Sequence, residues 1–342
     1  MTLFIICLPN TTKTMSFPLY RRPGSIVFLD DDIDYLEMLA EVMPDNWYLH
    51  LMLRPVACID MLLGETIFRE LDLWRQQEIV NQWRDGTPLI PQILTYWRDD
   101  GTARFTLTEV CVVDYSMPAM SGLKVLSDLS SWPGARVLLT GRADEQLAVS
   151  AFNRGLINQF IPKQATDIRQ RLTDAVQHLL QKPNPRHDQT WRATFTQAQS
   201  ALLSDPLIAS ELEKLAIKQG WIEHTAIGAP FGILALDNTA QAMWLQLEPP
   251  DRLAELAEMA ESQGWDQSTV AQVRAGQKLI DLELQLALGT DQKARPREAF
   301  TLGAGASCLY AALFDIHERF CPMASDSFQH FVGRSSNRQL QD

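Results

Sequence analysis

The residues with the clearest chemical potential stand at the ends of four short apolar runs. Asp30 and Asp31 follow Ser25-Ile-Val-Phe-Leu29, and Asp114 follows Glu109-Val-Cys-Val-Val113. Thr140 follows Ala135-Arg-Val-Leu-Leu139, and Lys163 follows Gln159-Phe-Ile-Pro162. Three carboxylates brought together repel one another unless a hard cation joins them, and Mg²⁺ (or Mn²⁺) takes such oxygen ligands. A carboxylate so placed can also act as a nucleophile and form an acyl phosphate. A cation on one side and the Lys163 ammonium on the other would stabilise the charge on the transferring group, and the Thr140 hydroxyl could bond one of its oxygens.

For these residues to meet, the runs must be neighbouring strands. Each reads as a buried parallel strand, and a further strand is expected at 48–53. Helical patterns fill the gaps at 34–43, 122–130, 143–154 and 165–181. Strands alternating with helices predict a parallel, doubly wound α/β sheet whose active groups gather at the carboxyl ends of the strands. One stretch is too long for such a unit. An insertion at about 65–107 carries Trp74, Trp83 and Trp97 and reads as an extended helix plus a second helical arm. It is either an elaborated surface hairpin or a partner surface, since three Trp need burial somewhere.

Taken in order, these features resemble the receiver domain of two-component response regulators, the CheY-like family. The matches are Asp30-Asp31, Asp114 in Val112-Val-Asp-Tyr-Ser-Met-Pro118, Gly122, Thr140 in Leu138-Leu-Thr-Gly141, and Lys163 in Phe160-Ile-Pro-Lys163. The family usually has Pro after this Lys, whereas here Pro162 precedes it and Gln164 follows. The resemblance implies a flavodoxin-like doubly wound (βα)5 receiver over 23–182, with the helical insertion between its second and third strands. It implies that Asp114 is the phosphoacceptor, served by a sensor histidine kinase or phosphotransfer protein. It further implies that Asp31, Asp114 and the Ser116 backbone carbonyl ligate Mg²⁺, with Asp30 acting through water. Lys163 and Thr140 would hold the phosphoryl group, Phe160 would be the aromatic switch, and Ser116 and Arg142 would tune dephosphorylation. The family's usual phosphorylation-promoted homodimer would use the helix after Thr140 and the last strand–helix pair. The only catalysis implied is the domain's own phosphoryl uptake and loss. Read without the resemblance, Asp30-Asp31 could be an ordinary helix cap, Lys163 a solvated strand end and Phe160 a core aromatic.

The rest of the chain is less explicit. Residues 1–22 read as a disordered leader, 183–190 as a linker with two prolines, and 191–342 as an output domain. That domain reads as mainly helical α+β, with helices at 207–219, 251–263, 267–288 and 303–320 and a β-hairpin at 231–247. The net charge is −12, and residues 183–342 carry 13 Lys+Arg against 20 Asp+Glu, which argues against a nucleic-acid partner. The apolar run 3–8 is too short to span a membrane, so no membrane is expected. Five cysteines without a C-x-x-C pair fit a reducing, cytoplasmic setting. The turn Gly303-Ala-Gly305-Ala-Ser307 ahead of a helix could cradle a phosphate, although it lacks a P-loop lysine. His317 and Cys321 are too few for a metal site. The output is expected to work by protein interaction, with ligand or nucleotide sensing and cryptic transcriptional regulation as alternatives.

Overall fold

The structure, a computed structural model, describes residues 16–141, 145–290, 292–305, 307–334 and 338–341. Its first strand, β1 (Tyr20–Arg21), joins a sheet otherwise built from residues 221–315. The chain then enters an α/β layer: β2 (Ser25–Leu29), α1 (Ile33–Val42), β3 (Tyr48–Met52), α2 (Pro55–Gly64), α3 (Thr66–Arg84) and α4 (Leu89–Asp100). It continues through β4 (Thr108–Asp114), α5 (Gly122–Asp128), β5 (Ala135–Thr140), α6 (Glu145–Asn153), β6 (Gln159–Pro162) and α7 (Ile168–Leu180). Strands β2 to β6 are all parallel in the order β3-β2-β4-β5-β6, the flavodoxin-like arrangement. Their alternating side chains feed two cores. Phe28, Val112 and Leu139 meet α1 and α7 on one face. Val27, Val113 and Leu138 meet α2, α5 and α6 on the other. A sheet buried on both faces explains why these strands read as unbroken apolar runs.

The second half begins with α8 (Pro185–Arg192), α9 (Gln197–Leu203) and α10 (Pro206–Lys218). An antiparallel sheet follows, from β7 (Trp221–Gly228), β8 (Phe231–Asp237) and β9 (Ala242–Glu248). Then come α11 (Leu253–Ser262), α12 (Gln267–Arg274), β10 (Lys278–Ile280), α13 (Leu282–Ala287) and β11 (Pro296–Glu298). Strands β12 (Phe300–Ala304) and β13 (Ser307–Asp315) complete the sheet in the order β1-β7-β8-β9-β13-β12. The chain ends with α14 (Phe328–Arg334) and β14 (Arg338–Gln341), which pairs parallel with the outer edge of β3. The two halves therefore exchange terminal strands.

Four expectations change. Residues 16–22 are not a loose leader: Phe17, Leu19 and Tyr20 are buried in the second half's core, and residues 1–15 lie outside the described residues. The segment 183–190 is not a free linker, because Pro185 opens a helix capped by the Asn184 side chain. The stretch 303–320 is no helix: most of it is the β12–β13 hairpin, whose central strand position the Ala- and Leu-rich run Ser307–Asp315 fills. The stretch 267–288 breaks at Gly276 (φ 68°), which ends α12 and leads into β10. The hairpin expected at 231–247 is present as β8–β9.

The insertion is helical, as α3 and α4, but its inner face belongs to the second half. Val80, Leu89, Ile90, Ile93 and Trp97 sit fully buried in the same core as Trp191 and Trp244. Trp83 is half-buried against that core, while Trp74 is 62% exposed on a face shared with Ile67, Phe68 and Leu71. Polar groups lock the same seam. Arg22 forks onto Asp72 at 2.8 and 3.1 Å, and the buried Arg104 guanidinium meets the fully buried Glu223 at 2.9 Å. Each is a buried charge with its counter-charge in place, the condition under which burial is tolerated. No helix among the described residues is long and apolar enough to cross a membrane.

Candidate functional site

The residues singled out at the strand ends meet in one place. One carboxylate oxygen each from Asp30, Asp31 and Asp114 lie within 4.8 Å of one another, with Asp30 and Asp114 buried and Asp31 exposed. Lys163 Nζ stands 2.6 Å from Asp30 Oδ2 and 2.8 Å from Asp114 Oδ1. The ladder holds the loops that carry them. Past the strand ends, the Asp30 N–H bonds Met52 O, the Tyr115 N–H bonds Leu139 O and the Lys163 N–H bonds Thr140 O. The Pro162–Lys163 order is thus accommodated: Pro162 sits in register with Thr140 at the end of β6 and Lys163 turns into the pocket.

The cap reading of the acidic pair is decided by its neighbour. It is Asp32 that caps α1, accepting the Tyr35 N–H at 3.1 Å, which leaves Asp30 and Asp31 to the pocket. Asp30 is held by the Asp32 N–H at 3.1 Å, and Asp114 Oδ2 accepts the Ser116 N–H at 3.1 Å. The Ser116 side chain is exposed. Thr140 is fully buried and its hydroxyl has no hydrogen-bond partner among the described residues. Such a group costs about 1–3 kcal/mol until an acceptor reaches it. Phe160 is half-buried against the α5–α6 core, and Arg142 lies outside the described residues.

Charge explains what this pocket wants. Burial pushes the Asp30 carboxyl up, and the Lys163 bond only partly offsets it. Burial alone would lower the Lys163 ammonium, but bonds to Asp114 and Asp30 together outweigh it and raise it. Lys163 therefore stays charged. Three carboxylates still face one ammonium, and an all-oxygen donor set with surplus negative charge fits a hard divalent cation such as Mg²⁺ or Mn²⁺.

One contributor escaped the sequence reading, and another was named there without its physical reason. The Tyr35 ring lies 4.4 Å from Lys163 Nζ, a cation–π contact that fixes the ammonium from its far side. Burial pushes the Tyr35 hydroxyl up to about 12. Its position in the first turn of α1, just past the acidic residues, was the available signal. Gly122, noted only as part of the resemblance, has a steric reason to be there. A Cβ on it would stand 2.1 Å from the Asp114 carbonyl oxygen. Gly122→Ala should cost about 1–3 kcal/mol through forced backbone movement. Urea unfolding measures this, and an unchanged midpoint would show that the turn has room.

The turn at Gly303, Gly305 and Ser307 does not form a phosphate cradle. It joins two strands rather than opening a helix, and the Gly303 N–H already bonds Glu211 Oε2 at 2.6 Å. His317 and Cys321 fall outside any metal-like cluster among the described residues.

Comparison with solved structures extends the geometry to the whole chain. The response regulator LqsR of Legionella pneumophila superposes over 95% of this chain and 98% of its own, with a TM-score of 0.67 at 21% identity. The two proteins share one two-domain fold. A receiver-domain protein of Clostridium thermocellum (20% identity, TM-score 0.29) covers 46% of this chain and 94% of its own. A CheY-like receiver-domain protein of Methanospirillum hungatei (14%, TM-score 0.29) covers the same shares. No protein-family model and no curated protein matches the chain. The first half thus has the receiver fold, and the second is an α/β unit built on an antiparallel sheet.

Proposed function

We propose that the chain is a two-component response regulator whose phosphoacceptor is Asp114. The observation that supports this best is the convergence of Asp30, Asp31 and Asp114 around one point, with Lys163 bridging two of them. An Asp114 carboxylate oxygen attacks the phosphorus of a phosphohistidine on a sensor kinase or phosphotransfer protein. An O–P bond forms, the N–P bond breaks, and the imidazole leaves with the bonding pair. Asp31, Asp114 and the Ser116 carbonyl would hold Mg²⁺ or Mn²⁺, with Asp30 reaching it through water. When bound, the ion would neutralise charge on the phosphoryl oxygens. Lys163 holds the phosphoryl group from the other side, and the unpartnered Thr140 hydroxyl turns to it.

Phosphorylation adds about 1.5 to 2 negative charges. Movement of Thr140 would free or trap Phe160 and reshape the face formed by α6, β6 and α7. Leu147 (49% exposed) and Val149 (38%) on α6 give that face apolar surface for a second copy. The output is then exercised through protein contacts of the second half. The direct test is phosphoryl uptake. Acetyl phosphate with Mg²⁺ should add one phosphoryl mass to the wild type and none to Asp114→Asn. Equal uptake by the variant would move the site elsewhere, and unchanged sedimentation after beryllofluoride treatment would remove the dimer.

A further inference from the structure

The largest cavity described in the second half, about 1080 Å³, opens between α9, the end of β9, α11, α13 and the start of β13. It exceeds the usual range for small-molecule sites only slightly. Leu202, Phe231 and Met259 supply apolar wall. Its charged lining is Glu248, Asp251, Arg252 and Glu283, three acids against one base. The base is already engaged: Arg252 reaches Glu283 at 3.3 Å and also pairs with Glu255.

Glu248 is the informative residue. It ends β9, is only 3% exposed, and lines the cavity. Its one hydrogen-bond partner among the described residues is a neutral amide, Gln246 Nε2, at 2.8 Å to Oε1. Burying a carboxylate with so little compensation is costly, whereas Gln or Leu there would cost nothing of the kind. Burial first, then Glu283 and Glu255, push the group up to about 7, with Gln246 and Arg252 opposing. A group in that condition gains most from a cation delivered to its free oxygen.

We propose that this cavity binds an organic cation, an amine or amidine carried on an apolar body, with Glu248 as its counter-ion. An anionic nucleotide is the wrong ligand for this lining, and the Gly303 amide that might have served a phosphate is committed to Glu211. The proposal does not rest on the phosphoacceptor reading, since no residue is shared.

The experiment is titration calorimetry on the full chain at pH 8 with phenethylamine, hexylamine and agmatine. Phenylacetate serves as the anionic counterpart. Saturable binding of at least one amine and none of phenylacetate is expected. Glu248→Gln should weaken it by about tenfold or more, the loss of one charge-assisted bond. Ala201→Trp, an exposed lining position, should block the cavity and abolish binding without touching the core. Affinity should fall as pH drops from 8 to 6 and Glu248 takes up a proton. Failure of all three amines, equal binding of phenylacetate, or binding untouched by both substitutions would overturn the proposal.

Discussion

Residues 23–182, expressed alone, should fail to give a compact receiver. Cutting there removes the surface against which α3 and α4 pack, leaving Val80, Leu89, Ile90, Ile93 and Trp97 facing water. At about 1.5–3 kcal/mol per large side chain, five such groups amount to roughly 7–15 kcal/mol. That equals the whole stability of an ordinary domain, about 5–15 kcal/mol. The cut also removes Arg22, which leaves the buried Asp72 carboxylate without its counter-charge, and takes His187 and Trp191 away from Gln76. The fragment is therefore expected to bind a hydrophobic dye, to lose helix content per residue against the full chain, and to self-associate. A monodisperse fragment that excludes the dye and keeps its helices would show that the insertion is supported from the receiver side after all.

The second large effect is acid lability at the seam between the halves. His187 is half-buried beside Gln76 and stacks on Tyr20, and its desolvation there pulls its imidazolium down to about 4. His224 is buried against Pro18 O at 2.9 Å, and burial pulls it down to about 3. Both are neutral in the fold and would charge near 6.5 in the unfolded chain. A depressed value means stability that is intact above about pH 6.5 and lost as pH falls toward 4. Between 6.5 and 5 the loss is about 2 kcal/mol for each histidine. Buried carboxyls with raised values, Glu223 and Glu248 among them, act in the opposite sense. The contribution must therefore be read by difference. Urea unfolding of the wild type and of His187→Gln and His224→Gln at pH 7 and pH 5 should show a flatter pH response in each variant, by about 2 kcal/mol. Identical slopes would mean these imidazoles titrate normally.

Both effects arise where the sequence was hardest to read. The receiver strands were legible because a sheet covered on both faces demands continuous apolar runs, and Ser25–Leu29 or Glu109–Val113 can be little else. The pocket was legible for a related reason: acidic, hydroxyl and ammonium groups stood where such strands end. The helices α3 and α4 were legible as helices, but periodicity shows which face is apolar and not which core will take it. Phe17, Leu19 and Tyr20 form too short a segment to carry any period. Ser307–Asp315 misled because alanine and leucine favour helices, while the central place in a sheet overrides propensity. Tyr35 and Glu248 acquire meaning only through neighbours far along the chain.

The exchange of end strands has a consequence during synthesis. β1 is made before the receiver strands, yet its partner β7 emerges some 200 residues later. β14 is made after every other strand of both sheets, and the outer edge of β3 waits for it. Neither sheet can be completed before strands of the other half have been made, so strict domain-by-domain folding is closed to this protein. Each nascent molecule must carry an unfinished sheet edge at β3 until β14 has been made.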